Sequence, residues 1–177
     1  MSWPKTADTG VAPASAVPIR VRQATTRDLE HVIALRVALL REHPNHPVYG
    51  RLRQDATERA RDLYTVQLRS TLEAIFLAEM NNEVVGILRC VDSAGSPLLE
   101  PARYAYISSV FVKPAARRRG VLRALLRAAE QWSTERDLDQ LRLHHVSGSP
   151  QAEGAWSALG FDVVEHVRVR SVKPEGR

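Results

Sequence analysis

Arg117, Arg118, Arg119, Arg123 and Arg127 crowd one short stretch around Gly120, and guanidinium groups gathered beside a glycine are suited to holding an anion. Where such a turn opens a helix, the first backbone N–H groups lack intrahelical acceptors and the positive end of the helix dipole points the same way. A pyrophosphate fits there, because Gly120 lets the backbone approach a ligand closely and the arginines add donors. A second concentration of chemistry is His144-His145, followed by Ser147 and Ser149. Adjacent residues on a strand project to opposite faces, so one of the two histidines can face an opening beside the strand and serve as a general base; the sequence leaves open which. His43 and His46 have a His-x-x-His spacing, but no acidic or cysteine partner stands nearby to complete a zinc site, and no metal is expected. Cys90 is the single cysteine and reads as packed core.

The 177 residues, 44% of them hydrophobic, suffice for one sizeable core, so the expected organisation is a flexible leader over residues 1–18 and a single domain over 19–177. A lone cysteine offers no intrachain disulfide, which fits a reducing cytoplasm. No apolar run approaches the roughly 18 residues of a membrane span. The net charge of +5 suits phosphates in general. Nucleic acid is not expected as a partner, because the arginine stretch lacks interleaved exposed aromatics.

The elements that must position these residues follow from periodicity. Ile19–Ala24 alternates as a half-buried strand, and Thr25 with Asp28 has the spacing of a helix cap before Leu29, Val32, Ile33, Val37 and Leu40 recur at the helical period, ending before Pro44. His43–Gly50 carries two prolines, an asparagine and a glycine and reads as a loop. A second helix is expected between Asp55 and Leu72, with Ala60, Leu63, Tyr64, Leu68 and Leu72 on its packed face. Ala74–Met80 and Glu83–Val91 read as a hairpin across Asn81-Asn82. A loop over Ser93–Pro101 leads to a central strand, Tyr104–Val112, and Gly120 opens a helix with a stripe of Val121, Leu122, Leu125, Leu126, Ala129 and Trp132. Gln140–Val146 is a fifth strand, Pro150–Leu159 a short helix, and Phe161–Val172 returns to β alternation. This order predicts an α/β domain with a mixed, mostly antiparallel central sheet flanked by helices.

Val110, Val112, Pro114, Arg117 and Gly120 together form Val-x-Val-x-Pro followed by Arg-x-x-Gly, which resembles the signature of the GNAT superfamily of N-acetyltransferases. The segment Ser149–Phe161, ending in Gly-Phe, is similar to that family's later helix, and the likeness extends over roughly Ile19 to Val172. The resemblance implies a GNAT-like fold with acetyl-CoA as cosubstrate, lying in a V-shaped opening between the strand of Tyr104–Val112 and that of Gln140–Val146. It implies that pantetheine pairs with backbone at Val110, Phe111 and Val112, and that pyrophosphate meets Arg117, Arg118, Arg119, Gly120, Val121, Leu122 and Arg123. Two positions depart from the family pattern: Leu122 stands where a small residue is usual, and Trp156 stands four residues before the Gly of Gly-Phe, where many members have a tyrosine that protonates the departing thiolate.

An indole is no useful acid, so Trp156 reads as packing against pantetheine or the core. Ser147 or Ser149 is then a candidate to hydrogen-bond the sulfur. His144 or His145 remains the candidate base, with Glu79 and Tyr106 on neighbouring strands as further ones. The resemblance also places the loop between the first two helices near the acceptor, which makes His43, His46 and Tyr49 expected substrate contacts, and Tyr106 on the central strand is expected to join them. The reading is acetyl transfer from acetyl-CoA to a primary amine, on a small molecule or a protein, by direct attack. The alternative is a catalytically inactive acyl-CoA-binding module. Only a short tail follows Phe161, so an unpaired sheet edge is expected, which is consistent with a homodimer.

Overall fold

The computed structural model describes residues 17–170 and 172. Five strands form one mixed sheet in chain order: β1 (Arg20–Gln23), β2 (Glu73–Met80), β3 (Glu83–Ala94), β4 (Arg103–Val112) and β5 (Leu141–Leu143). The first four pair antiparallel, while β5 runs parallel to β4. A parallel pair needs a crossover, and α3 (Val121–Thr134) supplies it. α1 (Leu29–Arg41) and α2 (Ala56–Gln67) cover the opposite face, and α4 (Pro150–Ser157) follows β5. This is the mixed, mostly antiparallel sheet flanked by helices that the periodicities predict.

Alternation of side chains across the sheet gives two cores. Phe76, Leu88, Cys90, Ala105 and Ile107 meet Val121, Leu125, Leu126 and Trp132 on the α3 face. Ile75, Leu77, Ile87 and Phe111 meet Val32, Ile33, Leu35 and Tyr64 on the α1–α2 face. The β2–β3 turn is the expected Asn81-Asn82 hairpin, with both residues at positive φ (51° and 62°), as the tight primed turn requires. Cys90 is fully buried, and burial pushes its thiol up to about 11.

Several boundaries differ from the periodicity, and β3 runs on to Ala94, past the expected end at Val91 and into the expected loop. Phe161–Val172 forms no strand in its described residues, and Val164, Val167 and Val172 are 85%, 80% and 91% exposed. Alternation makes a strand only where a neighbour accepts its backbone, and β5 offers just three residues; Ser171 lies outside the described residues. β5 itself stops at Leu143 rather than Val146, because β4 diverges from it after Ile107. α2 ends at Gln67, and Leu63 and Leu72 are 51% and 61% exposed, so Tyr64 anchors that helix instead. α4 ends at Ser157, and the chain turns through Gly160 at φ 85°. Of the expected leader, residues 1–16 lie outside the described residues, and Val17 packs against the α3-side core.

The start of α1 is fastened to the sheet. Thr25 and Asp28 form a reciprocal capping box, and Arg22 on β1 donates to both Asp28 oxygens (2.9 and 2.7 Å) and to Glu79 on β2 (2.7 Å). The Arg22 guanidinium holds the Asp28 carboxyl well below the usual carboxylate range. A depressed carboxyl stabilises the fold fully above its unfolded value near 4 and loses that contribution as pH falls through the folded value. Asp28→Asn is therefore expected to cost about 2 kcal/mol at neutral pH, a difference from wild type that shrinks below about pH 4; urea titrations at several pH values measure it.

Candidate functional site

The site begins where two strands part. β4 and β5 pair only at Ala105–Leu141, Tyr106–Arg142 and Ile107–Leu143. Two residues later Ser109 adopts φ 54°, and the β3–β4 register shifts between Ile87 and Arg89, which together mark a β-bulge. Up to Ile107 the odd-numbered side chains of β4 face α3; beyond the bulge Val110 and Val112 pack on that face and Phe111 joins the other core. The backbone turns over with the side chains. Ala105 N–H donates toward β5, to Gln140 O (2.9 Å), whereas Lys113 N–H donates toward β3, to Val85 O (2.8 Å). By the two-residue alternation of strand hydrogen bonding, Phe111 faces β3, and Val110 and Val112 turn their amides into the opening.

The turn into α3 lies beside that opening, on the α3 face. Pro114–Ala116 makes one 3-10 turn, Arg118 and Gly120 take positive φ (60° and 89°), and Gly120 caps the helix with Ala124 N–H donating to its carbonyl (3.0 Å). The amides of Arg118 through Arg123 find no acceptor among the described residues. Arg118, Arg119 and Arg123 are exposed and have no carboxylate partner among the described residues. A concave row of free amides ringed by guanidinium groups is an anion site in its chemistry. Arg117 is different: its Nε donates to Val112 O (2.9 Å), its Nη2 pairs with Glu42 at the end of α1, and its guanidinium lies 5.8 Å from the Phe111 ring centre. Its side chain ties the turn to α1, and its amide closes the 3-10 turn by donating to Pro114 O (3.2 Å). Leu122 is half-buried and belongs to neither core. Arg123, Leu126 and Arg127 continue from this turn into a groove shared with Ala158 and Leu159 after α4.

The opposite mouth of the opening holds the titratable groups. His144 follows β5 on the α1–α2 face, and its Nδ1 lies 2.8 Å from the Tyr106 hydroxyl. His145 points the other way, with Nδ1 3.1 Å from Val146 O, so the adjacent histidines divide between the faces as strand geometry requires. Burial, together with nearby Tyr49 and Tyr104, pushes the Tyr106 phenol up, against a smaller opposing effect of Arg89. Tyr106 thus remains a proton donor at neutral pH. In the α1–α2 loop, the amides of Val48 and Tyr49 donate to His46 Nδ1 (3.2 and 3.1 Å), and the His46 and Tyr49 rings stack at 4.7 Å. His43 is edge-on to His46 at 6.5 Å. Among the described residues no group of three or more histidine, cysteine or acidic side chains is placed to hold a metal.

Other expected residues sit apart from this mouth. Ser149 caps α4 by accepting from Ala152 N–H (3.4 Å), and Ser147 is exposed in the preceding turn. Glu79 is held by Arg22. Trp156 is 8% exposed and packs edge-on against Phe161 at 5.3 Å, while Phe161 N–H closes the turn onto Trp156 O (3.1 Å). Its indole is buried against Phe161, which packs on the α3-side core. Periodicity gives no sign of Ser109, whose bulge divides the site, nor of Arg89, which donates to Glu73 (2.5 Å) and Ser108 (3.2 Å) on the Tyr106 face. The available signal was a charge inside the apolar run of β3, since an arginine there is buried only with partners.

The sequence matches the profile of the Acetyltransferase (GNAT) family over residues 29–161. The chain belongs to that family. No curated protein matches it significantly. Among solved structures, it is similar to a predicted acetyltransferase with acetyl-CoA from Clostridium acetobutylicum (TM-score 0.70, 18% identity, 86% of this chain and 96% of that one). It is also similar to a GCN5-related N-acetyltransferase from Ralstonia eutropha (0.72, 19%, 88% and 100%). A third is an aminoglycoside N-acetyltransferase in complex with CoA (0.70, 22%, 93% and 100%). At these identities the likeness concerns the GNAT fold. No described helix is long and apolar enough to cross a membrane.

Because Trp156 belongs to the core, truncating it should act on stability. Trp156→Ala is expected to lose about 3 kcal/mol, read as a fall in thermal midpoint, whereas Trp156→Phe should retain most of that stability.

Proposed function

We propose that this GNAT-family chain transfers the acetyl group of acetyl-CoA to a primary amine by direct attack, without a covalent enzyme intermediate. The observation that carries the reading is the row of free amides from Arg118 to Arg123 lying beside the point where β4 leaves β5. These residues fit the cosubstrate: the row and the exposed arginines take its pyrophosphate, and the inward amides of Val110 and Val112 take pantetheine and the thioester oxygen. The structures solved with acetyl-CoA or CoA share this fold. Arg117 positions the turn through Val112 and Glu42, and Arg123 with Arg127 lines the continuing groove. The residues at positions 121 and 122 begin the helix whose end receives the anion.

With the thioester reaching the opening from the α3 side, the amine arrives from the α1–α2 side, where Tyr106 and His144 stand. His144 that donates Nδ1–H to the Tyr106 oxygen keeps a lone pair on Nε2 to accept the amine proton, directly or through water. The amine nitrogen forms a bond to the acetyl carbon, the carbonyl electrons move onto oxygen, and on collapse the carbon–sulfur bond breaks. Tyr106 supplies a proton to the departing thiolate and recovers one from His144. This pair fills the role that Trp156 leaves vacant, and it favours transfer over the reading of an inactive acyl-CoA-binding module. Ser147 and Ser149 are not needed for it. His43, His46 and Tyr49 overlook the amine's approach, and the small-molecule amine is favoured as acceptor by the kinds of neighbour that share the fold. Cytoplasmic action and a homodimer through the exposed β5 edge belong to the same proposal.

Calorimetry with acetyl-CoA should show one site per chain, and Gly120→Glu should abolish it, since a carboxylate beside pyrophosphate repels at close range. Gly120→Ala separates charge from the strain of positive φ and should retain binding. No heat at millimolar acetyl-CoA contradicts the proposal. With thiol release as the assay, His144→Gln and Tyr106→Phe are each expected to lower kcat about 100-fold while acetyl-CoA affinity stays unchanged; binding without thiol release to any amine would instead support the inactive module.

A further inference from the structure

The carboxylates of β2, β3 and the α1–α2 connection share one property. On β2 and β3, Glu73 is held by Arg89, Glu79 by Arg22, Glu83 by Lys113 and Asp92 by Arg103. Along the α1–α2 connection, Glu42 is held by Arg117, and Asp55 by Arg53 and Arg59. β4 and β5 contain no acidic residue. Every carboxylate on these elements is thus already neutralised by a cation of the chain itself. An acceptor carrying several ammonium groups would have to break an ion pair for each one it placed here, or leave its charges uncompensated.

The cations are less fully committed. Arg89, with a side chain 19% exposed, stands on the Tyr106 face and uses Nε for Glu73 and Nη1 for Ser108. Its Nη2 has no partner among the described residues. Arg51, two residues from Tyr49, has no carboxylate partner among the described residues either. A planar guanidinium edge near hydroxyl donors matches a carboxylate, which takes parallel N–H bonds from such a fork.

We infer that the acceptor is a primary amine bearing a carboxylate, as in a free amino acid, and that Arg89 is the specificity-determining residue that reads the carboxylate while Glu73 restrains it. This rests on the transferase reading above and narrows it: the fold is shared with an aminoglycoside acetyltransferase, but the paired carboxylates of β2, β3 and the α1–α2 connection offer a polycationic acceptor no free partner.

The test is thiol release from acetyl-CoA with the L-amino acids, their carboxamides, spermidine and kanamycin. The expected result is at least one amino acid used at least 10-fold better in kcat/KM than its carboxamide, with both polycations poorer still. Arg89→Gln should raise KM for that amino acid at least 10-fold and bring the acid-to-amide ratio toward one. Glu73→Gln, by releasing Arg89, should lower the same KM, a direction that structural damage would not produce. Acetyl-CoA calorimetry on both variants reports that the fold and cosubstrate site persist. Preference for spermidine or kanamycin, carboxamides used as well as acids, an unchanged ratio in Arg89→Gln, or no turnover of the series by an acetyl-CoA-binding protein would each overturn the inference. Failure to bind acetyl-CoA, or binding without thiol release to any amine, would overturn the transferase reading instead.

Discussion

Two parallel strands that share only three residue pairs leave backbone groups beyond the shared stretch without their sheet partners. In most sheets such groups would be a defect to be covered. Here the bulge at Ser109 rotates β4 by one residue, so that Val110 and Val112 aim amides into the gap while their side chains stay in the α3-side core. The gap is therefore lined by rigid donors and floored by packed valines. The crossover that makes β5 parallel also delivers the N-terminus of α3 to the same edge, so the free amides of the turn and those of the opening fall along one path.

The sheet then acts as a partition between two kinds of chemistry. On the α3 side, Arg118, Arg119 and Arg123 have no carboxylate partner among the described residues, which suits a long polyanionic ligand whose charge arrives with it. On the α1–α2 side the carboxylates of β2, β3 and the α1–α2 connection are already paired, and a phenol and an imidazole stand 2.8 Å apart. Arg117 joins the two sides. By binding Glu42 and the Val112 carbonyl, it couples the end of α1 to the turn that opens α3.

Much of this was legible in the residues. Strong periodicity located α1, α3 and the first four strands, and the Asn-Asn pair identified its hairpin, because in those segments local preference and burial agree. The arginine turn was legible because its chemistry is local to a few consecutive residues. What escaped depended on contacts between distant segments. Val167-Arg-Val-Arg alternates as a strand does, yet no neighbour among the described residues takes up its backbone. Whether His144 or His145 faces Tyr106 depends on the register of β5 against β4. That Arg117 bonds Glu42, 75 residues away, is invisible to any spacing rule, and so is the bulge at a serine, a residue with no special preference for positive φ.

The central claim is that the free backbone of the β4–α3 turn and of the opening beside it forms one binding path for acetyl-CoA. Backbone amide shifts followed by NMR during titration with acetyl-CoA test it most directly. The account predicts that the largest changes fall on Val110, Val112 and Arg118 through Arg123, with smaller ones at His144. Changes concentrated on another face of the sheet, or a titration that leaves the turn's amides unmoved, would contradict it.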